Sequence, residues 1–212
     1  MNQNTTPLLR GDALQSAGVV CVLTHGRGQS PEAMDEHIIG RLNTKGVAFV
    51  LPRAASSSWY DARAIELLTA STRAQLSASL EQLKQAAQMV LVNVPVVMAG
   101  FSQGACLTLE YALAFGPWRG AMVSFTGCRV GTVEDDRPRQ DLAGLPVYLS
   151  GSDNDPWIPL AAFAAATIEL GTARARLRTD VFPGRQHEVC DDEIAVLQSV
   201  LDQLISGQEV QW

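Results

Sequence analysis

Val96-Val97-Met98-Ala99-Gly100-Phe101-Ser102-Gln103-Gly104-Ala105 joins an apolar, strand-like run directly to a helix-forming segment, with Gly-x-Ser-x-Gly at the joint. A serine at such a joint sits in a sharp turn with strained backbone, and Gly100 and Gly104 leave space where any Cβ would collide. The turn lifts the Ser102 hydroxyl clear of the sheet edge. The helix that follows aims its free N–H groups at the same spot, which favours negative charge there. The bland alternative is a tight strand–helix turn with a capping serine. What separates the two is whether a histidine and an acid arrive later in the chain at matching places.

Working outward, strand and helix patterns alternate. Val19 to Thr24 is a continuous β-branched run and reads as a buried strand that ends in the glycine-rich His25-Gly26-Arg27-Gly28. Ser30-Pro31 reads as N-cap and first helical position; Met34, Ile38 and Leu42 keep a four-residue spacing up to a stop at Gly46. Val47 to Leu51 is the next strand, and Leu76, Leu80, Leu83 and Ala87 mark a helix face before the central strand. Beyond the helix from Gln103 to Phe115, strands are expected at Ala121–Phe125, Val147–Ser150 and Leu177–Phe182, and helices at Leu160–Leu170 and around Ile194, Leu197, Leu201 and Leu204. Thr126 to Leu145 reads as a long polar loop over the surface. Residues 1–17 read as an irregular arm or a short edge strand. The pattern predicts an α/β fold: one domain spanning 1–212, a doubly wound, mostly parallel sheet of about six or seven strands flanked by helices, with no lid domain.

Length and composition set limits. At 212 residues the chain is long enough for one well-buried core and short for two. The net charge of −6 argues against a nucleic-acid backbone or an anionic membrane as the main partner. Met1-Asn2-Gln3-Asn4-Thr5-Thr6 lacks the basic-then-apolar pattern of a signal peptide. The longest apolar run, Met89 to Ala99, is broken by Asn93 and Pro95 and is too short to span a bilayer, so no stable membrane insertion is expected. Cys21, Cys106, Cys128 and Cys190 are scattered without a CxxC, for which a reduced cytoplasm is the simplest setting. A homodimer is compatible with all of this.

In sheets of this kind ligands bind at the carboxyl ends of strands. The glycine-rich loop at 25–28, Ser102, the loop after Ser150 and the loop after Phe182 all fall at such ends. A serine hydroxyl is a weak nucleophile until a base within hydrogen-bond reach takes its proton, and that base needs an orienting acid. The chain has three histidines. His25 precedes the serine, which is the wrong order for the nucleophile-elbow fold, and His37 lies within a helical pattern. His187, just past the last strand, is the candidate base. The candidate acid comes from Ser150-Gly151-Ser152-Asp153-Asn154-Asp155-Pro156, where Asp153 and Asp155 compete and one is expected to form a turn. An oxyanion would be met by the Gln103 N–H and, by position, the Arg27 N–H. The same loop lacks the Lys-Ser/Thr ending of a P-loop and the spacing of GxGxxG.

Thr24-His25-Gly26-Arg27-Gly28, Pro52-Arg53-Ala54, Ser58-Trp59-Tyr60, Gly100-Phe101-Ser102-Gln103-Gly104-Ala105, Asp155-Pro156-Trp157-Ile158-Pro159 and Pro183-Gly184-x-x-His187 together resemble the phospholipase/carboxylesterase family, a bacterial relative of acyl-protein thioesterases and dienelactone-hydrolase-like proteins. The resemblance runs from about residue 18 to 205. It implies an α/β-hydrolase fold, no metal and no organic cofactor, with Ser102, Asp155 and His187 as catalytic triad and Arg27 and Gln103 as oxyanion donors. The chain departs from the acyl-protein thioesterase pattern His-Gly-Leu-Gly-Asp at Arg27 and Gln29. It also has Ser102 where dienelactone hydrolases have cysteine.

The backbone also favours Asp155. A residue before proline is pushed into extended conformation, which would aim the Asp155 carboxylate outward, whereas Asp153, after Gly151 and Ser152, is placed to form an Asx turn. Trp59, Tyr60 and Trp157 are expected to line an acyl pocket or else to cap the core. Two functions fit: a cytoplasmic serine esterase or thioesterase acting on a small-molecule substrate, and a hydrolase fold kept as a catalytically slow or inactive small-molecule sensor or carrier.

Overall fold

The computed structural model describes residues 5–89 and 93–212. Residues 1–4 of the expected arm and residues 90–92 of the longest apolar run lie outside it. A seven-stranded sheet runs in the order β1-β3-β2-β4-β5-β6-β7. Its strands are β1 (Leu8–Gly11), β2 (Val19–Thr24), β3 (Val47–Leu51), β4 (Val96–Phe101), β5 (Gly120–Phe125), β6 (Pro146–Gly151) and β7 (Arg176–Val181). Every pairing is parallel except β1 with β3, so the N-terminal arm does form an antiparallel edge strand.

Two apolar layers sandwich the sheet because successive strand side chains face opposite sides. Val20, Val22 and Met98 face a layer built with α2 (Ala70–Gln88), α3 (Gln103–Phe115) and α4 (Leu160–Thr172). Val19, Cys21, Leu23, Val97 and Ala99 face the other, built with α1 (Pro31–His37) and α5 (Asp191–Ile205). Both layers are needed by a sheet whose β2 and β3 are buried along their whole length. The register Thr24↔Gly100 brings the ends of β2 and β4 side by side, so the loop at His25 and the turn at Ser102 start from neighbouring points.

Three expectations are corrected. The helix begun by Ser30 stops at His37, passes through a single 3₁₀ turn at Ile39–Arg41, and Leu42 is already extended. Gly40, a poor helix former, falls where the next turn would have to be made. Helix α4 runs through Gly171 to Thr172 instead of stopping before it. The loop after β5 runs only partly over the surface: residues 126–131, Arg137, Leu142 and Leu145 are buried. Its two buried arginines are paired internally. The Arg129 guanidinium pairs with Glu110 of α3 at 2.7 Å and also with Glu169 of α4, and Arg137 reaches the same Glu169 at 2.7 Å.

Candidate active site

Ser102 has φ 55° and ψ −119°, a backbone conformation that L-residues other than glycine rarely hold. The surroundings force it. A Cβ on Gly100 would lie 2.4 Å from the Thr24 Oγ1, and one on Gly104 would lie 2.4 Å from the Thr24 carbonyl oxygen, so β2 and α3 touch through bare backbone. The Ser102 N–H donates to the Phe125 carbonyl at 3.0 Å, which ties the turn to β5 as well.

His187 sits in the loop between β7 and α5. Its Nε2 lies 2.8 Å from the Ser102 Oγ, and its Nδ1 lies 2.6 Å from the Asp155 Oδ2. The Phe101 ring packs against the imidazole at 5.0 Å between centroids. An aspartate on Nδ1 leaves Nε2 unprotonated and ready to accept the serine proton. The Asp155 side chain is fully covered, and its second oxygen, Oδ1, accepts the N–H groups of Trp157 and Ile158 at 2.8 and 2.9 Å. The turn formed by an aspartate therefore belongs to Asp155 and not, as the sequence suggested, to Asp153. Asp153 instead accepts the Gly184 N–H at 2.7 Å and so pins the histidine loop to the acid loop.

A buried ion pair holds that loop from behind. Arg185, two residues before His187, meets Glu193 of α5 at 3.1 Å and donates to the Thr126 Oγ1 at 2.8 Å. Glu193 is fully buried and also bonds the Ser150 hydroxyl and the Cys190 N–H. The ends of β5, β6 and α5 are thus connected through Arg185.

The glycine-rich loop lies against the serine: a Cβ on Gly26 would come within 3.3 Å of the Ser102 Cβ. His25 braces it and is fully buried. Its Nδ1–H donates to the Gly26 carbonyl at 2.8 Å, its Nε2 accepts the Ala54 N–H at 3.1 Å, and burial lowers its pKa below the usual 6.5. Among the described residues, the backbone N–H groups of Arg27 and Gln103 donate to no protein acceptor, and the second belongs to the first turn of α3. The Arg27 guanidinium turns away to the carbonyls of Asp61 and Ala62. The Gln103 side chain accepts the Trp59 N–H at 3.0 Å and donates to the Tyr60 carbonyl at 2.7 Å, which fixes the 58–60 loop over the turn.

A cavity of about 480 Å³ opens at Ser102 and His187. Tyr60 and Trp157 line it. Trp59 does not: its ring stacks on His25 at 4.8 Å and its Nε1–H donates to the His25 carbonyl at 2.8 Å, so it is a core brace for the loop. Sequence reasoning missed Asp61, Arg63, Ala64, Cys106 and Ile158 in the lining. The signal for Cys106 was present, since it stands four residues after Ser102 on one helix face. Its thiol lies 3.9 Å from that of Cys128, and this contact lowers the Cys106 pKa against the opposing effect of burial. The arrangement can move a proton from Ser102 to His187, steady the resulting imidazolium with Asp155, and offer two N–H groups to an oxyanion. Among the described residues no group of three His, Cys, Asp or Glu side chains is placed to hold a metal ion, and no helix is long and apolar enough to cross a membrane.

Comparison with known proteins agrees with the fold. The profile described as phospholipase/carboxylesterase matches residues 13–205. A phospholipase/carboxylesterase from Dyadobacter fermentans superposes with a TM-score of 0.84 at 25% identity, covering 95% of this chain and 98% of that one. Acyl-protein thioesterase 2 of Zea mays gives 0.76 at 14% identity over 95% and 99% of the two chains. The carboxylesterase of Bacillus cereus gives 0.72 at 17% identity over 96% of each.

Proposed function

The chain belongs to the phospholipase/carboxylesterase family of α/β-hydrolases, and from that premise we propose that it is a serine hydrolase cleaving small carboxylic esters or thioesters through an acyl-enzyme. The observation that carries the proposal is the unbroken relay from the Ser102 Oγ to His187 at 2.8 Å and from His187 to Asp155 at 2.6 Å. Ser102 attacks the carbonyl carbon while His187 takes its proton. The Arg27 and Gln103 N–H groups receive the oxyanion. His187 returns the proton to the leaving oxygen or sulfur, and water then repeats the sequence on the ester of Ser102.

The substrate is a small molecule in solution. The cavity of about 480 Å³ suits a short or medium acyl chain, and the segment between β5 and β6 is locked by Arg129 and Arg137, which leaves it unsuited to act as a lid. The scattered cysteines support a reducing, cytoplasmic setting. A binding module without turnover would have no use for a strained serine aligned on a histidine.

The test is a rate panel over p-nitrophenyl esters and thioesters of two to sixteen carbons, with Ser102→Ala beside the wild type. Turnover that favours the shorter chains and vanishes in the variant is expected. Equal turnover in the two proteins would remove the proposal.

A further inference from the structure

A second cavity, of about 330 Å³, lies on the α1 side of His187. Both cavities are lined by His187, but Ser102, Gln103 and Cys106 line only the first and Phe101 only the second. That difference sorts the two halves of a substrate. An acyl group bonded to the Ser102 oxygen must occupy space that touches Ser102. The departing alcohol must touch His187, which gives it a proton, and need not touch Ser102 once the carbon–oxygen bond has broken. The first cavity therefore takes the acyl half, and the second can take only the half that leaves.

The walls define what that half looks like. Met34, Ile38, Phe101 and Val189 make the apolar part of its wall, and the Phe101 ring packs on the imidazole. Glu36 and Glu188, both exposed, line it as well. Arg41 also lines the cavity, but its guanidinium is held by Asp191 and by the Val189 carbonyl at 2.9 Å. Among the described residues neither Glu36 nor Glu188 has an ion-pair partner, so the cavity mouth carries negative charge that its one guanidinium does not offset. Such a field attracts cations and repels anions over a distance of about a Debye length.

We propose that the cavity between α1 and the His187 loop is a leaving-group subsite for an alcohol with a short apolar stem and a positive charge at its far end. This rests on the hydrolase reading above. In the step it serves, the Ser102 Oγ–carbon bond forms and the carbon–alkoxy bond breaks. The proton passes from Ser102 to the His187 Nε2 and on to the alkoxy oxygen, and the neutral-hydroxyl alcohol leaves through this cavity.

The test uses four butyrate esters at pH 8 and low salt: methyl, 3,3-dimethylbutyl, choline, and the monoanionic 3-sulfopropyl ester. The neutral 3,3-dimethylbutyl group matches choline in shape, so the two differ in charge alone. We expect kcat/KM for choline to exceed that for 3,3-dimethylbutyl by about tenfold and the sulfopropyl ester to fall below both. The choline advantage should shrink toward one in Glu36→Gln/Glu188→Gln and in 0.5 M salt. Val189→Trp, which fills the cavity, should slow the two bulky neutral and cationic esters far more than the methyl ester. Equal kcat/KM across the three charge types, or a choline advantage untouched by the double variant, overturns the subsite while methyl butyrate turnover keeps the hydrolase reading. Absence of turnover on all four esters overturns both.

Discussion

Asp155 faces His187 with one carboxylate oxygen, Oδ2 to Nδ1 at 2.6 Å, and closes its own loop with the other, Oδ1 to the N–H groups of Trp157 and Ile158. Orientation of the histidine and construction of the acid loop thus depend on the same side chain. Pro156 biases the backbone before it toward extended conformation, which suits a carboxylate that serves both sides.

The first prediction follows from that division. Asp155→Asn can keep the turn through its Oδ1, but its amide would favour the wrong histidine tautomer. A drop of about 10⁴ in kcat is expected, on the precedent of serine proteases. Asp153→Ala removes only the acceptor of the Gly184 N–H and should cost about 1 kcal/mol of stability with kcat kept within severalfold. Steady-state kinetics and urea unfolding of the two variants separate the roles. Loss of activity in Asp153→Ala with activity kept in Asp155→Asn would reverse the assignment.

A second prediction concerns strain. At φ 55° and ψ −119°, Ser102 holds a conformation that glycine adopts freely. Ser102→Gly should be more stable than Ser102→Ala by about 1 kcal/mol or more in urea unfolding, with neither variant active. Equal stability of the two would show that the turn stores no strain.

The third concerns Arg129, one of two buried cations in the segment after β5. Arg129→Met strands the Glu110 carboxylate, which is 2% exposed, and should cost about 3–5 kcal/mol. Arg129→Met/Glu110→Gln should recover part of that loss because no uncompensated charge remains. Chemical unfolding of both variants reads the difference.

The fourth is a pH dependence. Burial lowers the His25 pKa below its usual 6.5, and the ring must stay unprotonated at Nε2 to accept the Ala54 N–H. The unfolded chain therefore binds this proton at higher pH than the folded chain. The His25 contribution to stability is complete above about pH 6.5 and is lost as pH falls through the folded value. An NMR titration should show the His25 ring titrating below pH 6.5. A His25 titrating at or above 6.5 would contradict the account of the loop.

Much of this was readable from the chain because it is locally encoded. Gly100, Ser102 and Gly104 specify the turn, the β-branched runs specify β2 and β3, and chain order alone singles out His187. What stayed hidden depends on contacts far apart in sequence. The segment after β5 looks polar because Arg129 and Arg137 are read as solvent-seeking until Glu110 and Glu169 are placed beside them. The one warning was Glu110 itself, a single acid in the otherwise apolar helix Gln103–Phe115. Trp59 and Tyr60 are neighbours in one motif, yet one braces His25 and the other lines the cavity, and no periodicity in a loop separates them. The Asx-type turn went to Asp155 instead of Asp153 because the amides of Trp157 and Ile158 follow Asp155, while Asp153 is drawn across to the Gly184 N–H of another loop.

The most direct test of the central claim is reaction with a fluorophosphonate probe followed by intact-mass and peptide analysis. The account predicts one label per chain, located on Ser102, with ester turnover lost in step with labelling and no label in Ser102→Ala. A label on any other residue, or full turnover in a fully labelled protein, would contradict it.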